Sequence, residues 1–279
     1  VYEIVENTEQ TLNLYKDGDI DVIGLNADNY EELAETGNIY RSFTGFPNFL
    51  TINTAPSKVE GSSRHVPDTI LFDVRFRQAL MYAFDRVDYN TNYDIPNLPS
   101  FVPIPGDIKN YVQDTEFFVE TPEFLAVLQK LGVSPESHGY LPTKAEELFD
   151  AAYADWLAEG NTGPVKLKLI ASDSTISKLT SGRVKAMYES FFAKDGVKRL
   201  EIDVHNLASE QRSATSKNWD FDLTLGGIGF GGSLGTYWQS GAIAFAGGML
   251  GGADLGLSQP YTTDLKTGEQ VLAPYASQV

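Results

Sequence analysis

The sequence contains no cysteine in its 279 residues. Disulfides, thiol nucleophiles and thiolate metal sites are therefore excluded, although an oxidising compartment remains compatible with this composition. Histidine is scarce too, with only His65, His138 and His205, and no H-E-x-x-H or other metal-binding spacing joins them. A G-x-S-x-G elbow is also missing, so the sequence lacks the motifs of zinc hydrolases and of serine hydrolases with a nucleophile elbow.

Basic residues are few compared with acidic ones. The chain has 21 Lys and Arg against 38 Asp and Glu, a net charge of −17 and a pI near 4.5. A surface of this charge repels phosphate backbones and anionic lipid headgroups, so we expect neither nucleic acid nor a membrane surface as a partner. No apolar run approaches the length needed to cross a bilayer.

The sequence does contain the material of a folded core. Hydrophobic residues make up 42% of the chain, with 16 Phe and 14 Tyr, which argues against disorder. Its length suffices for one large domain or two small ones. The chain opens on the strand-like Val1–Val5 without a signal peptide, as expected of a secreted protein that has lost its signal or of an excised fragment.

A core helix is predicted over residues 71–86. Its apolar side chains recur at i, i+3, i+4, i+7 and i+8, on one helical face: Phe76, Ala79, Leu80, Ala83 and Phe84. Asp73 is placed to cap the N-terminus of this helix and to pair with Arg77 four residues later.

Further elements follow from capping residues and alternation. We predict helices from Thr8 to Tyr15, from Pro122 to Leu131 and from Thr143 to Glu159, the last with a Thr143/Glu146 capping box; a short helix opened by an Asp28/Glu31 capping box; and strands over Ile20–Leu25, Ile39–Phe43 and Phe49–Asn53.

The segment 165–225 has the clearest architecture. A strand beginning at Val165, a helix over 176–194 and a strand over 200–204 form a βαβ unit; a polar helix over 207–217 and a strand over 219–225 follow. This alternation predicts an α/β fold with a largely parallel sheet, flanked by helices and joined by right-handed crossovers. Ligands of such sheets bind outside the carboxyl ends of the strands.

A glycine-rich segment follows the last of these strands. Residues 226–256 hold 12 of the 25 glycines, interleaved with Phe230, Tyr237 and Trp238. Glycine lets backbone approach a ligand closely and aromatic rings line pockets, so this segment is a candidate ligand wall; a loop whose aromatic residues pack back on the sheet is the equal alternative.

Two chemical alternatives are weaker. Gly227, Gly229 and Gly232 fit a dinucleotide-binding G-x-G-x-x-G motif, but the residues after them show no helical periodicity. A secreted acidic glycoside hydrolase would need two carboxylates in one cleft, and the sequence nominates no such pair.

The wording of the core helix adds a family resemblance. Asp-Val-Arg-x-Arg-x-Ala-Leu at residues 73–80 and Asp-Arg at 85–86 resemble the signature helix of the oligopeptide-binding family, family 5, of extracytoplasmic solute-binding proteins of ABC importers. The segments 12–25 and 219–223 resemble that family in order and spacing. The resemblance implies a periplasmic-binding-protein-like lobe that performs no catalysis and needs no cofactor.

Members of that family are longer, two-lobed proteins. The resemblance therefore implies that residues 1–279 form the C-terminal ligand-binding lobe, with 1–46 on the hinge side and 47–279 as the main lobe. It also implies a monomer that acts in the periplasm or as a cell-surface lipoprotein of a bacterium. There it would capture peptides, or a related solute such as an oligosaccharide, and deliver them to an ABC permease.

The resemblance also nominates site residues. Peptide-binding members anchor the ligand's amino terminus with an Asp and line a pocket with a Trp, and these positions fall near Gly231 and Ile228, where neither residue is present. A free amino terminus therefore cannot be anchored by a carboxylate at that position. The candidate ligand contacts are Gly229, Phe230, Gly231, Ser233, Tyr237 and Trp238, with Ser172 and Asp173 after the Val165 strand.

Overall fold

A computed structural model describes most of the chain. The residues it describes are 8–25, 29–34, 36, 39–40, 48–54, 57–62, 69–93, 98–102, 106, 116–227, 261–263 and 270–272. The chain packs into two compact units, one formed by Val1–Ser42 with Val87–Pro99 and the other by Phe43–Arg86 with Ser100–Val279. The predicted strand at Val1–Val5 and the Asp28 cap lie outside the described residues, as does most of the predicted strand at Ile39–Phe43.

The first unit contains short helices. Helix α1 spans Thr8–Asp17 and α2 spans Tyr30–Ala34, and Lys16 forms an ion pair with Glu32 between them. Gly18 follows α1 with a φ of 79°, the left-handed conformation in which glycine commonly ends a helix. The predicted strand over Ile20–Leu25 is wrong, since these residues are irregular. Alternation alone does not make a strand, which also needs a neighbouring strand to exchange hydrogen bonds with.

The second unit opens on an edge strand and the signature helix. Strand β1 spans Asn48–Ile52, a 3-10 turn spans Ile70–Phe72, and α3 spans Val74–Ala83. Asp73 caps α3 as predicted, accepting a 2.7 Å hydrogen bond from the Arg75 amide. Its carboxylate pairs with the Arg75 guanidinium at 2.5 Å, whereas Arg77 donates to the Leu71 carbonyl.

The signature helix ends earlier than predicted. It stops at Ala83, and the next helix, α4, spans Arg86–Tyr93. The Arg86 guanidinium donates to the carbonyls of Met81 and Phe84 at 3.3 and 3.0 Å. These bonds satisfy carbonyl groups that a helix end leaves without a partner in the helix.

Two further helices precede the main sheet. Helix α5 spans Pro122–Leu131, as predicted, and α6 spans Pro142–Ala158. The predicted Thr143/Glu146 capping box is wrong, because α6 begins one residue earlier, after Leu141, and its N-cap has no side-chain hydrogen bond. Proline suits the first helical position since its φ is already helical and it has no N–H to cap there.

A four-stranded sheet organises the second unit. Strand β2 spans Val165–Ser172, α7 Thr175–Phe191, β3 Leu200–Leu207, α8 Ser209–Lys217 and β4 Leu223–Gly227. The strand order is β1-β4-β2-β3, in which β2 is parallel to β3 and β4, and β1 is antiparallel to β4. The predicted α/β fold, the βαβ unit and the largely parallel sheet are confirmed. A separate antiparallel pair joins β5, Tyr261–Thr263, to β6, Gln270–Leu272.

Strand β4 begins four residues later than the alternation predicted. Trp219 has a φ of 55° and lies in the turn after α8. The Asp222 side chain accepts a 2.6 Å hydrogen bond from the Lys168 amide, while the Asp222 amide donates to the Lys168 carbonyl at 2.9 Å. The Asp222 carboxylate thus replaces a backbone carbonyl as the acceptor for the Lys168 amide, and regular backbone pairing of β4 starts only at Leu223.

The core of this unit lies between the sheet and α3, α6 and α7. Phe149 is fully buried and stacks on Phe192 with ring centroids 4.1 Å apart, and Phe76 contacts it at 5.6 Å. Tyr188 of α7 donates to the Leu80 carbonyl of α3 at 3.0 Å, and burial raises the pKa of this tyrosine. These contacts join the signature helix α3 to α7, which packs on one face of the sheet.

Candidate ligand-binding site at the carboxyl edge of the sheet

The strand order contains a point at which the chain reverses its direction across the sheet. From β2 the chain crosses to β3 on one side, and from β3 it returns past β2 to β4 on the other side. The reversal therefore falls between β2 and β4. In open α/β sheets the carboxyl ends of the strands at such a reversal form the crevice in which ligands bind.

The two connecting helices lie on opposite faces of the sheet. Asn206 shares a face with Leu200 and Ile202 by alternation, and its amide donates to Ser181 of α7 at 3.2 Å. Leu223 pairs with Leu169, which is on the same face as Leu200 and Ile202. Gly226 lies three residues after Leu223, so a Cβ at Gly226 would be on the opposite face. A Cβ on Gly226 would lie 3.7 Å from Arg212 of α8. Right-handed crossovers in opposite directions produce this arrangement.

The pairing between β2 and β4 stops before either strand ends. Their register comprises only Leu169↔Leu223 and Ile170↔Thr224. Strand β2 stays paired with β3 as far as Ser172, and β4 stays paired with β1 as far as Gly227. The last residues of β2 and β4 are therefore not paired with each other at the carboxyl edge of the sheet, and this unpaired stretch is called the gap below.

The β2 side of this gap carries the two predicted residues that the structure describes. The Ser172 carbonyl accepts from Asn206 at 3.0 Å, and its hydroxyl accepts from the Ser174 amide at 3.4 Å. The Asp173 amide donates to the Leu207 carbonyl at 3.1 Å. The exposed Asp173 side chain makes no hydrogen bond or ion pair within the described chain. Its carboxylate is thus held at the edge by the backbone and open to solvent.

The β4 side carries a residue that the sequence reasoning missed. Arg212, in the first turn of α8, donates from Nη2 to the Leu225 carbonyl at 2.6 Å. This bond satisfies the β4 backbone just beyond the point where β2 leaves it. One signal was available in the sequence, since a cation in the first turn of a helix opposes the helix dipole and needs a compensating role.

The remaining candidate residues are not located by the structure. Gly229, Phe230, Gly231, Ser233, Tyr237 and Trp238 lie outside the described residues. Gly227, the last described residue before them, lies at the carboxyl edge opposite Asn48 of β1. Their part in a ligand wall stays a prediction.

Other chemistry near the sheet is limited. His205 lies 2.7 Å from Asp203 on β3, on the face that bears the charged residues of the strands. Throughout the described ranges, no group of three His, Cys, Asp or Glu side chains could hold a metal ion. What the edge offers is a hydroxyl, a carboxylate, a guanidinium and backbone groups, which suits the binding of a polar ligand.

Comparison of the sequence with protein-family models identifies the family of this chain. Residues 1–242 match the model of the bacterial extracellular solute-binding proteins, family 5 Middle. The chain belongs to this family. The resemblance read from the signature helix is thereby confirmed, and the family is one of binding proteins rather than enzymes. No curated protein matches the chain.

Solved structures share the family 5 fold at low sequence identity. The pheromone receptor PrgZ, described with its mode of peptide binding, is 20% identical with a TM-score of 0.57 over 81% of this chain and 38% of that one. OppA of Listeria monocytogenes, bound to peptide, is 17% identical with a TM-score of 0.55 over 81% and 39%. A putative peptide-binding protein, AppA, from Clostridium difficile is 16% identical with a TM-score of 0.57 over 84% and 41%.

The present chain spans about two-fifths of the length of these solved structures. In the part of this family 5 chain that the structure describes, no helix is long and apolar enough to span a membrane.

Proposed function

We propose that this chain supplies one wall of a peptide-binding site in the substrate-binding component of an ABC importer. The observation that carries the proposal is the gap between the carboxyl ends of β2 and β4, at the reversal point of a family 5 fold. Two solved structures of this fold are described with bound peptide or with a mode of peptide binding. An extended peptide presents backbone donors and acceptors that pair with the free backbone groups of such an edge.

The mechanism we propose is closure of two lobes around the ligand. Residues 1–279 would form the C-terminal ligand-binding lobe, with 47–279 as its main body and 1–46 on the hinge side. Ligand contacts that form only when both lobes engage stabilise the closed state, and a permease reads that state outside the cytoplasmic membrane. The protein would act as a monomer, in the periplasm or as a surface lipoprotein.

The proposed contacts come from two places in the chain. Ser172 and Asp173 face the ligand from the β2 side, and the segment from Gly229 to Trp238 faces it from the β4 side. Because no carboxylate stands near Gly231, Asp173 is the acidic group best placed for a basic or amino group of the ligand.

A thermal-shift experiment tests the proposal on the protein at its full natural length. Peptides of two to eight residues, oligosaccharides and dinucleotides are compared, since a ligand that binds only the native state raises the unfolding midpoint by mass action. We expect peptides to raise it, and we expect Asp173→Asn and Trp238→Ala each to reduce that rise.

Asp195→Asn is the matched control. Asp195 lies in the exposed turn between α7 and β3, at the opposite edge of the sheet, and its φ of 51° is one that asparagine also tolerates. This variant should keep the full peptide response. A rise with oligosaccharides alone would replace the peptide by a sugar ligand. A rise with dinucleotides alone would contradict the binding-protein proposal itself.

A further inference from the structure

Strand β3 lies at one end of the strand order, and within the described chain β2 is the strand it pairs with. Successive residues of a strand direct their backbone N–H and C=O groups alternately to its two sides. The Leu207 carbonyl accepts from the Asp173 amide just after β2, so the odd-numbered residues of β3 face β2. The backbone groups of Ile202, Val204 and Asn206 therefore point outward, away from the sheet.

Two side chains of α7 cover the outward groups of Ile202. The Glu189 carboxylate accepts a 2.8 Å hydrogen bond from the Ile202 amide, and the Lys185 ammonium donates to the Ile202 carbonyl. The two side chains also pair with each other, with Lys185 Nζ 2.9 Å from Glu189 Oε1. One acceptor and one donor thus take the place of the two hydrogen bonds that a neighbouring strand would make with Ile202.

The fold holds Glu189 in this position. Its side chain is 14% exposed, and Lys198 lies 3.1 Å from its second oxygen. Partial burial acts to raise the pKa of Glu189, but hydrogen bonds from Lys185, the Ile202 amide and Lys198 outweigh it, and the pKa lies below its usual value of 4.5. The carboxylate is therefore ionised at neutral pH. A strand that approached Ile202 would have to displace two charged side chains that are already hydrogen-bonded.

Beyond Ile202 the edge of β3 is open. Among the described residues, no group bonds to the outward N–H and C=O groups of Val204 and Asn206. Two copies of β3 that pair antiparallel about Val204 would place Ile202 of one opposite Asn206 of the other, with no like charges facing each other. The three outward residues would then contribute about six backbone hydrogen bonds between the copies. With Ile202 covered in both copies, only the central Val204 pair remains, with about two hydrogen bonds.

We propose that the Lys185/Glu189 pair prevents a second copy of this chain from pairing with the edge of β3. An unpaired strand edge is a template on which another chain can add a strand, and charged side chains at the edge are one way in which proteins suppress this. Here the pair removes the outward residue on which the antiparallel alignment depends. The inference is independent of the ligand, and it gives a physical reason for the monomer proposed above.

Sedimentation equilibrium of the protein at its full natural length tests the inference. In Lys185→Ala/Glu189→Ala the outward groups of Ile202 are uncovered. Between about 10 µM and 1 mM, in about 0.5 M NaCl to screen the net charge, we expect the average mass of this variant to rise towards that of a dimer. The wild type should stay at the monomer mass throughout. A double variant that is folded by circular dichroism and stays monomeric overturns the inference, as does a wild type that dimerises to the same extent.

Val204→Pro distinguishes edge pairing from the association of partly unfolded chains. Proline has no N–H, and the Val204 N–H points away from β2, so the substitution keeps the hydrogen bonds between β2 and β3 but blocks pairing on the open side. Added to the double variant, it should restore the monomer. A mass increase that persists with the proline would mean that the edge of β3 is not the contact, and the inference would be wrong.

Amide hydrogen exchange of the double variant decides the question if the proline variant does not fold. At about 1 mM compared with about 10 µM, exchange at Val204 and Asn206 should slow several-fold, because these amides gain acceptors in the dimer. Unchanged exchange at both residues overturns the inference.

Lys166→Ala/Glu201→Ala is the matched control. It also removes one lysine and one glutamate, from an exposed pair 3.9 Å apart that joins β2 to β3. The outward groups of Ile202 stay covered by Lys185 and Glu189 in this variant, so it should remain monomeric. Dimerisation of the control to the same extent as the double variant would mean that the lost charges, and not the uncovered edge, cause the association.

Discussion

At Gly139 the backbone runs directly beneath an aromatic ring. Its φ is 82°, and a Cβ at this position would lie 2.0 Å from Cδ2 of Phe101. The Phe101 ring stacks on Tyr82 of the signature helix, with centroids 6.3 Å apart. A side chain at Gly139 would thus strain the backbone and also displace a ring that covers α3.

Gly139→Ala should therefore destabilise the protein more than an ordinary turn substitution. Backbone strain at a positive φ costs about 1 kcal/mol, and overpacking against a ring adds about 1–3 kcal/mol. Urea unfolding followed by tyrosine and tryptophan fluorescence measures the loss.

Gly196→Ala is the matched comparison for Gly139→Ala. Its φ is 73°, and no atom lies within 4 Å of its Cβ position among the residues described. Gly196→Ala should therefore lower the free energy of unfolding only by the cost of backbone strain, about 1 kcal/mol. Equal losses in the two variants would show that Phe101 yields to the new methyl group without cost.

The element that positions the candidate site is β4, and side chains fix where it begins. Lys168 Nζ lies 2.6 Å from Asp220 Oδ2, and Ser62 donates to the same carboxylate. Asn53, just after β1, donates to the Phe221 carbonyl at 2.7 Å. Partial burial acts to raise the pKa of Asp220, but hydrogen bonds from Lys168, Ser62 and Ser57 outweigh it, and the pKa lies below its usual value of 3.8.

Asp220→Asn should lower the stability of the fold at neutral pH by about 1–2 kcal/mol, because it replaces charge-assisted hydrogen bonds. A carboxyl whose pKa is depressed by folding stabilises the folded state above its unfolded pKa, and this contribution is lost as the pH falls through the folded pKa. The difference between wild type and variant should hold from about pH 7 to 5 and shrink below about pH 4. Urea unfolding across this range measures it.

Asp203→Asn, on β3, serves as the control. The Asp203 side chain is 75% exposed, and among the described residues it pairs only with His205, which is 40% exposed. An exposed pair contributes little, so this variant should change stability by less than about 0.5 kcal/mol at pH 7. An Asp220→Asn effect that persists unchanged at pH 3 would mean that the ionised form of Asp220 is not what holds β4.

For the whole molecule, the net charge of −17 sets how stability responds to salt. Mutual repulsion among excess carboxylates opposes the compact state. Raising NaCl from about 10 to 150 mM shortens the screening length from about 30 to 8 Å. We expect the urea midpoint at pH 7 to rise over this range and then to level off.

The same titration near pH 4.5, the pI of the sequence, is the control. Net repulsion is small there, so the salt effect should be small as well. A midpoint that falls with salt at pH 7 would mean that ion pairs, such as that between Arg199 and Asp150, outweigh the repulsion.

Sequence patterns predicted correctly those helices and strands whose defining residues lie close together in the chain. The cap at Asp73, the apolar face of α3 and the alternation of β2 and β3 all lie within one element, so short-range periodicity sufficed to find them. It failed at Ile20–Leu25 and at the start of β4, where pairing with a distant strand decides the outcome. Nothing in the polar pattern of α8 shows that Arg212 reaches the β4 backbone.

The sequence by itself determined the helices and strands of the βαβ block, the family and the acidic character of the chain. Only the tertiary structure decided that β1 joins antiparallel to β4, that β2 and β4 separate after two pairs, and that Arg212, Gly226 and Asp173 stand around the same gap. The physical reason is that strand order and register are chosen by contacts between residues far apart in the chain. The residues at this edge come from three different elements, and no spacing along the sequence relates them.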